Sequence, residues 1–327
     1  MENITFSLET LEKLGNYHRE LMNLIKSSLD SFGTNKDIYD YINNFIKTNN
    51  LNKAFPIGIS INHIIAHDSY HESNIKNLKK GDFIKIDVGL IERGNIIDSA
   101  RTFVYKSDIN NYKCIDDCKQ IALGIEKFIQ EQLDNEGKVL IQKISAITNA
   151  LICSKGYNSL DYLGGHTIEY GKVHGKHYIL NKPLKLLPKE ASMFIDSNAE
   201  IGNDEMFAIE IYIGEKKANG TMIKSSTIPI THYQINIENP ECFEKLNQDE
   251  KEIVNKLLLQ SNNLVYEYNL HNDYNPKIIK KLIDSGIIIK HDALEFKSNS
   301  KEKIKYIQYE DCYLIRDGKL INLSKSI

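Results

Sequence analysis

Four features that mark special classes of protein are missing from this sequence: paired cysteines, a membrane span, a signal peptide and a strong net charge. Its five cysteines are odd in number and form no Cys-x-x-Cys pair, so neither a disulfide framework nor a paired-thiolate zinc site is predicted. No apolar run approaches the roughly 18 residues of a membrane span, and the first residues lack the basic and apolar regions of a signal peptide. The formal net charge of −3 gives no reason to expect nucleic acid as a partner. We therefore expect a soluble cytoplasmic protein without membrane or nucleic-acid partners.

The overall amino-acid composition is that of an ordinary globular protein. The chain has 327 residues, of which 41% are hydrophobic and 26% charged, so one large domain with an inserted lobe or two domains are both compatible with its length. Helical spacing of apolar residues predicts helices over about 8–29, 109–133 and 143–155. A further helix is predicted to begin after Asp37, which would be its N-cap. Strand-like runs separate them, which predicts an α+β fold.

A β-hairpin carrying two acidic residues is predicted between residues 81 and 98. Its turn is Arg93-Gly94-Asn95, in which Gly and Asn tolerate positive φ. In that register residue 92 faces 95, residue 90 faces 97 and residue 89 faces 98, so Asp87 and Asp98 share a face about 7–8 Å apart. Burying two such carboxylates without a partner costs several kcal/mol, which a cation would offset. The alternative is a solvated face on which both pair with lysines.

Further acidic and histidine side chains occur at positions where strands or glycines place them. Glu210 alternates with isoleucines in one predicted strand, and Glu310 lies in the last. His166 follows a Gly-Gly pair that permits close backbone approach, and His174 comes eight residues later. His67 follows an extended segment, where a lone histidine is more often structural than functional.

Four of these carboxylates and one histidine form a charge-balanced set. Two divalent cations carry +4 and four carboxylates carry −4, and a neutral imidazole completes the site. Oxygen donors with one imidazole suit Mn, Fe, Co or Zn, and two such ions can hold a bridging hydroxide as a nucleophile. The predicted reaction is hydrolysis of an amide or ester. The set is Asp87, Asp98, His166, Glu210 and Glu310.

The order of these motifs along the chain resembles that of the methionine aminopeptidases. The segments concerned are Ala54-Phe-Pro-x-Gly-x-Ser60-x-Asn62, Ala66-His67, Lys85-Ile-Asp87-Val-Gly, Ile97-Asp98, Gly165-His166, Ala208-Ile-Glu210 and Glu310. The resemblance implies the pita-bread fold, with the whole chain 1–327 as one catalytic domain. The long interval between the last two acidic residues resembles the type 2 subclass, which implies a helical subdomain, here over 240–300, inserted before the last ligand strand.

The same resemblance implies a role for each residue. The five members of the charge-balanced set would be the ligands of two divalent metal ions (Mn, Co, Fe or Zn), with Asp98 and Glu310 as bridges. The substrates would be the N-termini of nascent polypeptides, from which a monomeric enzyme removes the initiator methionine. Glu210 would also accept a proton from the attacking water, His67 would contact the scissile peptide or the substrate amine, and His174 would stabilise the tetrahedral intermediate. The methionine pocket would contain Phe55, Val173 and Tyr212.

Several residues depart from the family pattern. Asp68 follows His67 and is expected to raise the pKa of that histidine if it lies near. Tyr212 stands where phenylalanine is usual, and the glycine-rich run that normally follows is diluted to Gly214-Glu-Lys-Lys-Ala-Asn-Gly220. Two alternatives stay open. One is a proline-directed aminopeptidase, whose usual N-terminal domain has no room in the roughly 50 residues before Phe55. The other is a non-catalytic binding protein on the same fold, similar to the proliferation-associated proteins.

Overall fold

The computed structural model describes residues 5–187, 195–217, 220–225, 227–237, 243–298 and 303–325. The described helices lie close to the predicted ones. They are α1 (Leu8–Ser28), α2 (Asn35–Thr48), α3 (Lys113–Glu136), α4 (Ile141–Ser154), α5 (Gln248–Ser261) and α6 (Pro276–Asp284), with 3₁₀ turns at Leu29–Ser31, Ile109–Asn111, Leu184–Leu186 and Tyr268–Asp273. Among the described residues, no helix combines the length and apolar character needed to cross a membrane.

The strands that carry the acidic residues are long, and the others are short. The long ones are the hairpin (Phe83–Glu92 and Asn95–Val104), the central strand (Met206–Gly214) and the terminal strand (Tyr306–Arg316). We call Gly164–Ile168 the histidine strand. The remaining strands are Asn52–Lys53, Gly58–Ile61, Ile64–Ala66, Val139–Leu140, Tyr178–Leu180, Glu200–Ile201, Gly220–Lys224, His232–Ile235, Tyr266–Glu267, Ile288–His291, Leu294–Ser298 and Lys319–Asn322.

The hairpin has the predicted register. Gly89 faces Asp98, Leu90 faces Ile97 and Glu92 faces Asn95, so Asp87 and Asp98 lie on one face. The two turn residues with positive φ are Arg93 at 48° and Gly94 at 77°. The expectation that Asn95 also has a positive φ is therefore wrong. Asn95 begins the second strand, and its Oδ1 accepts a hydrogen bond from the Ser7 backbone N–H at 2.8 Å.

A second sheet places the remaining members of the set side by side. In this sheet the central strand lies between the terminal strand and the histidine strand. Glu210 is directly opposite Glu310, and His166 is opposite Ala208. A Cβ at Gly165 would lie 1.8 Å from the Ala208 carbonyl oxygen, so glycine is required there and the predicted close approach is confirmed.

Hydrogen bonds join the hairpin to the second sheet. The Ser99 hydroxyl donates to the Glu310 carbonyl at 2.6 Å, and the Thr102 hydroxyl donates to the Gln308 carbonyl at 2.8 Å. Both donors lie on the hairpin strand that carries Asp98. These bonds fix the acidic residues of the two sheets with respect to each other.

Two predicted helix starts need correction. Thr34 rather than Asp37 is the N-cap of α2, because its side chain accepts from the Asp37 backbone N–H. Asp37 is the third helical residue and completes a capping box by bonding back to the Thr34 N–H. Helix α3 begins at Lys113, since the 3₁₀ turn Ile109–Asn111 precedes it.

The segment for which a helical subdomain was expected, 240–300, contains strands as well as helices. Helices α5 and α6 pack against a three-stranded sheet in which His232–Ile235 lies between Tyr266–Glu267 and Ile288–His291. We call these five elements the lobe. A cluster of buried apolar side chains, which includes Val254, Leu257 and Leu282, fills its interior. Residues 240–242 and 299–300 of the expected insertion lie outside the described residues.

Candidate metal centre

The structure brings the five members of the charge-balanced set to one pocket. Asp98, His166 and Glu310 are buried, and each offers a ligand atom within 4.8 Å of the others. His166 Nε2 lies 3.4 Å from Asp98 Oδ2 and 3.5 Å from Glu210 Oε1. The imidazole nitrogen is therefore directed at the carboxylates, as a shared cation would require.

Asp87 is the remaining member of the charge-balanced set, and we call these five residues (Asp87, Asp98, His166, Glu210 and Glu310) the acidic cage. Asp87 Oδ2 accepts a hydrogen bond from Gln308 Nε2 at 3.0 Å, and the same amide lies 3.4 Å from Glu310 Oε2. Asp87 Oδ1 is buried and has no hydrogen-bond partner among the residues that the structure describes. A buried carboxylate oxygen without a donor is costly, and a bound cation would satisfy it.

Burial and the repulsion between neighbouring carboxylates raise the pKa values of acidic residues in the cage. Burial, followed by the charges of Asp98 and Glu210, raises the pKa of Asp87 and that of Glu310 well above the ordinary values. Burial also raises the pKa of Glu210 to about 7. For His166, burial opposes protonation, but the contacts with Asp98 and Glu210 outweigh it and raise its pKa. Each of these pKa shifts favours the protonated form, so nearby positive charge would stabilise the site. The residues therefore fit divalent cations.

The buried Lys85 does not supply that charge directly. Its Nζ donates to the carbonyls of Asn62 at 3.0 Å and Tyr306 at 3.2 Å. Burial lowers the pKa of its ammonium group to about 7. Lys85 thus joins Asn62 to the start of the terminal strand, and it also lines the pocket.

Tyr212 and Asn181 hold Glu210, a function that the sequence did not reveal. The Tyr212 hydroxyl donates to Glu210 Oε2 at 2.7 Å. The Asn181 side-chain amide donates to the Glu210 carbonyl oxygen and accepts from the Tyr212 backbone N–H at 3.0 Å. The departure from phenylalanine at Tyr212 was the available signal, since a buried hydroxyl needs a partner.

Replacing Tyr212 with phenylalanine is expected to weaken metal binding by roughly 10-fold, because partners that orient a ligand carboxylate typically contribute that much. Titration of the metal-free protein with Mn²⁺ in a calorimeter measures the effect. Tyr266→Phe, which removes a hydroxyl that contacts His271 in the lobe, is the matched control. Equal affinity of Tyr212→Phe and wild type would contradict the orienting role.

His67 has a left-handed backbone conformation, with φ at 61°, which is uncommon for a residue with a side chain. Its Nδ1 lies 3.2 Å from the Asp292 carbonyl oxygen. The expectation that Asp68 raises its pKa is wrong. Asp68 is buried and paired with Lys76, and burial lowers the pKa of His67.

The other residues named from the sequence line the same pocket. Phe55, Val173, His174 and Tyr212 all contribute to its wall. The ring of His174 packs edge-on against that of His166, with centroids 4.4 Å apart. The pocket also contains residues that were not predicted from the sequence: Gln308, the lobe residues His232 and His291, and Val265 immediately before the lobe strand Tyr266–Glu267. The sequence around the lobe residues did not indicate a place in the pocket, because their positions depend on how the lobe packs against the rest of the protein.

The paired strands hold a buried group of carboxylates and one imidazole, a set of donor atoms that suits divalent metal ions. The family model of metallopeptidase family M24 matches residues 9–239, which is well over half of the sequence. The chain belongs to this family and has its pita-bread fold.

Two relatives show how far the sequence similarity extends. The methionine aminopeptidase of Thermococcus kodakarensis is 27% identical over 212 residues, which cover 61% of this chain and 63% of that protein. The methionine aminopeptidase of Saccharolobus solfataricus is 24% identical over 300 residues, which cover 89% of each. The match thus spans less than two thirds of the first relative and most of the second.

Two solved structures share the fold over nearly the whole chain. The methionine aminopeptidase from Rickettsia prowazekii has a TM-score of 0.64 at 16% identity, covering 98% of this chain and 99% of that one. A thermophilic Arx1 has a TM-score of 0.71 at 11% identity, covering 97% of this chain and 91% of that one. At these identities the likeness shows the fold alone.

Proposed function

We propose that this protein is a metalloaminopeptidase that removes the N-terminal methionine from polypeptides. The observation that carries the proposal is the buried cluster of Asp98, His166 and Glu310, to which Asp87 and Glu210 add two further carboxylates. The methionine aminopeptidases among its relatives support the choice of substrate. As a protein acting on nascent chains it would work in the cytoplasm, and we expect a monomer.

The five residues of the cage would hold two divalent ions, of Mn, Co, Fe or Zn. When bound, the ions supply Lewis acidity that activates water and polarises the scissile carbonyl. The carboxylates of Asp87, Asp98, Glu210 and Glu310 would balance the charge of two such ions. The Tyr212 hydroxyl donates a hydrogen bond to Glu210 Oε2. This bond orients the carboxylate so that it can accept a proton from the attacking water.

The two histidines act on the substrate. If the Nδ1–H of His67 donates to the Asp292 carbonyl, its Nε2 is left as an acceptor for an N–H of the substrate. Burial keeps this ring neutral by lowering its pKa. His174, held edge-on against His166, would donate to the oxygen on which negative charge develops. Phe55 and Val173 would contact the methionine side chain.

Cleavage of Met-Ala-Ser after reconstitution with each metal in turn tests the proposal. We expect release of free methionine, no cleavage of the N-acetylated peptide, and a loss of roughly 10²- to 10⁴-fold in kcat for Glu210→Gln. Undiminished cleavage by Glu210→Gln would overturn the catalytic assignment. Mass spectrometry of the metal content gives an independent result, since fewer than about one ion per chain would favour a non-catalytic binding protein.

The proline-directed alternative is tested in the same assay. A prolidase-like enzyme would cleave Ala-Pro and leave Met-Ala-Ser intact. We expect the opposite result, because Val173, Val265 and Phe55 give the pocket wall an apolar surface suited to a methionine side chain.

A further inference from the structure

The carboxylate of Glu267 lies where the lobe meets the N-terminal half of the chain. The Tyr39 hydroxyl, from α2, donates to its Oε2 at 2.7 Å, and the Lys53 ammonium pairs with its Oε1. The side chains of Glu267 and Lys53 are 14% and 28% exposed. Because two residues hold separate oxygens of one partly shielded carboxylate, its orientation is fixed more firmly than in a surface ion pair.

The N-terminal partners are themselves held in place. Lys53 Nζ also donates to Asn43 Oδ1 at 3.2 Å, and Tyr39 packs against Tyr70 with ring centroids 5.1 Å apart. A second contact across the same junction joins the rings of His71 and Tyr268, whose centroids are 4.2 Å apart. Tyr268, the residue after Glu267, is therefore also held against the N-terminal half of the chain.

Glu267 lies in the two-residue strand Tyr266–Glu267, which is adjacent to residues that line the substrate pocket. Its register partner in the neighbouring strand is His232, and Val265 precedes it by two residues. His232 and Val265 both line the pocket. The Tyr268 backbone N–H donates to the Thr231 carbonyl at 3.1 Å, so the two strands are joined on both sides of this register pair. A shift of Glu267 would therefore move two pocket residues together.

We infer that Glu267 is a positioning residue: through Tyr39 and Lys53 it fixes the wall that the lobe contributes to the substrate pocket. It contacts neither the acidic cage nor the reacting atoms. Its loss should loosen the contact with the N-terminal side chain of the substrate and leave the chemical step intact. The kinetic part of this inference rests on the proposed function, and the structural part does not.

Hydrogen exchange measured by mass spectrometry tests the structural part. Glu267→Gln keeps the size of the side chain but removes the charge and turns one acceptor into a donor. We expect faster exchange in His232–Ile235 and Tyr266–Glu267, and unchanged exchange in the hairpin. Asp284→Asn, which alters an exposed ion pair with Lys280 in the same lobe, is the matched control. Unchanged exchange in both lobe strands would overturn the inference, whether or not the wild type cleaves peptides.

Steady-state kinetics on Met-Ala-Ser test the consequence for the pocket. Glu267→Gln should raise KM about 3- to 10-fold with kcat within about twofold, since it removes binding energy that substrate and transition state share. Lys53→Met should give the same change, and the double variant should add nothing to it. A lower melting temperature with unchanged KM would show a purely structural role, and additive effects of the two variants would also overturn the inference.

Discussion

Replacing Asp87 with asparagine is expected to reduce peptide cleavage at least about 100-fold and, in the metal-free protein, to raise the melting temperature at pH 8. The first effect follows from the loss of one proposed ligand, because the Lewis acidity of a bound ion is worth several kcal/mol. The second follows from the acidic cage, in which Asp87 is buried beside other carboxylates. Opposite effects on activity and stability identify a residue kept for binding rather than for folding.

The direction of the pH dependence follows from the pKa of Asp87. An aspartate in the unfolded chain has a pKa of about 3.9. Burial, followed by the charges of Asp98 and Glu210, raises the pKa in the folded protein well above that value. Between these two pKa values the folded state binds more protons, so the metal-free protein loses stability as the pH rises. The asparagine variant lacks this titration, and its advantage should grow over the same range.

Calorimetric scans of chelator-treated protein between pH 5 and pH 8 measure this advantage. Each kcal/mol of repulsion removed should raise the melting temperature by roughly 2–4 °C. Burial lowers the pKa of His18 to about 3, so that residue destabilises the fold only at acid pH and does not interfere at pH 8. Asp284→Asn, which changes an exposed aspartate, should leave the scans unaltered. A lower melting temperature for Asp87→Asn at pH 8 would show that the cage is not repulsive.

The hairpin part of the cage could be predicted from the sequence because the geometry of a hairpin is local. Strand side chains alternate with a period of two, and a two-residue turn fixes the register of a hairpin, so the facing of Gly89 and Asp98 followed from the turn at Gly94. The isoleucines around Glu210 lie in a buried cluster, which leaves Glu210 facing the pocket as expected. The order of motifs then brought the distant acidic residues into one set.

The partners of several side chains could not be predicted from the sequence, because they depend on tertiary contacts. Asp68 is adjacent to His67 in sequence, but its partner is Lys76, and no spacing rule predicts that choice. His232 and His291 reach the pocket only because the lobe packs against the N-terminal half. The extra hydroxyl of Tyr212 was visible in the sequence, whereas its contact with Glu210 depends on the side-chain conformation.

Replacing Arg101 with methionine is expected to destabilise the protein by about 3–5 kcal/mol, because it leaves a buried carboxylate without its cation. Arg101 lies on the hairpin strand that carries Asp98 and pairs with Asp311 on the terminal strand. Its side chain is 8% exposed and that of Asp311 is 2% exposed. The guanidinium also donates to the Glu310 carbonyl and to the Ser324 carbonyl, the latter at 3.1 Å.

Urea unfolding followed by circular dichroism measures the loss, and two variants separate its causes. Lys280→Met removes an ion pair whose members are 75% and 62% exposed, and it should change the free energy of unfolding by no more than about 0.5 kcal/mol. Arg101→Met combined with Asp311→Leu should recover part of the loss, since apolar residues can replace a buried ion pair. Recovery will be incomplete, because Tyr309 and Asn322 also donate to Asp311. If Arg101→Met were as stable as Lys280→Met, the buried pair would contribute no more than a surface pair. The join between the hairpin and the terminal strand would then depend on the Ser99 and Thr102 hydroxyls.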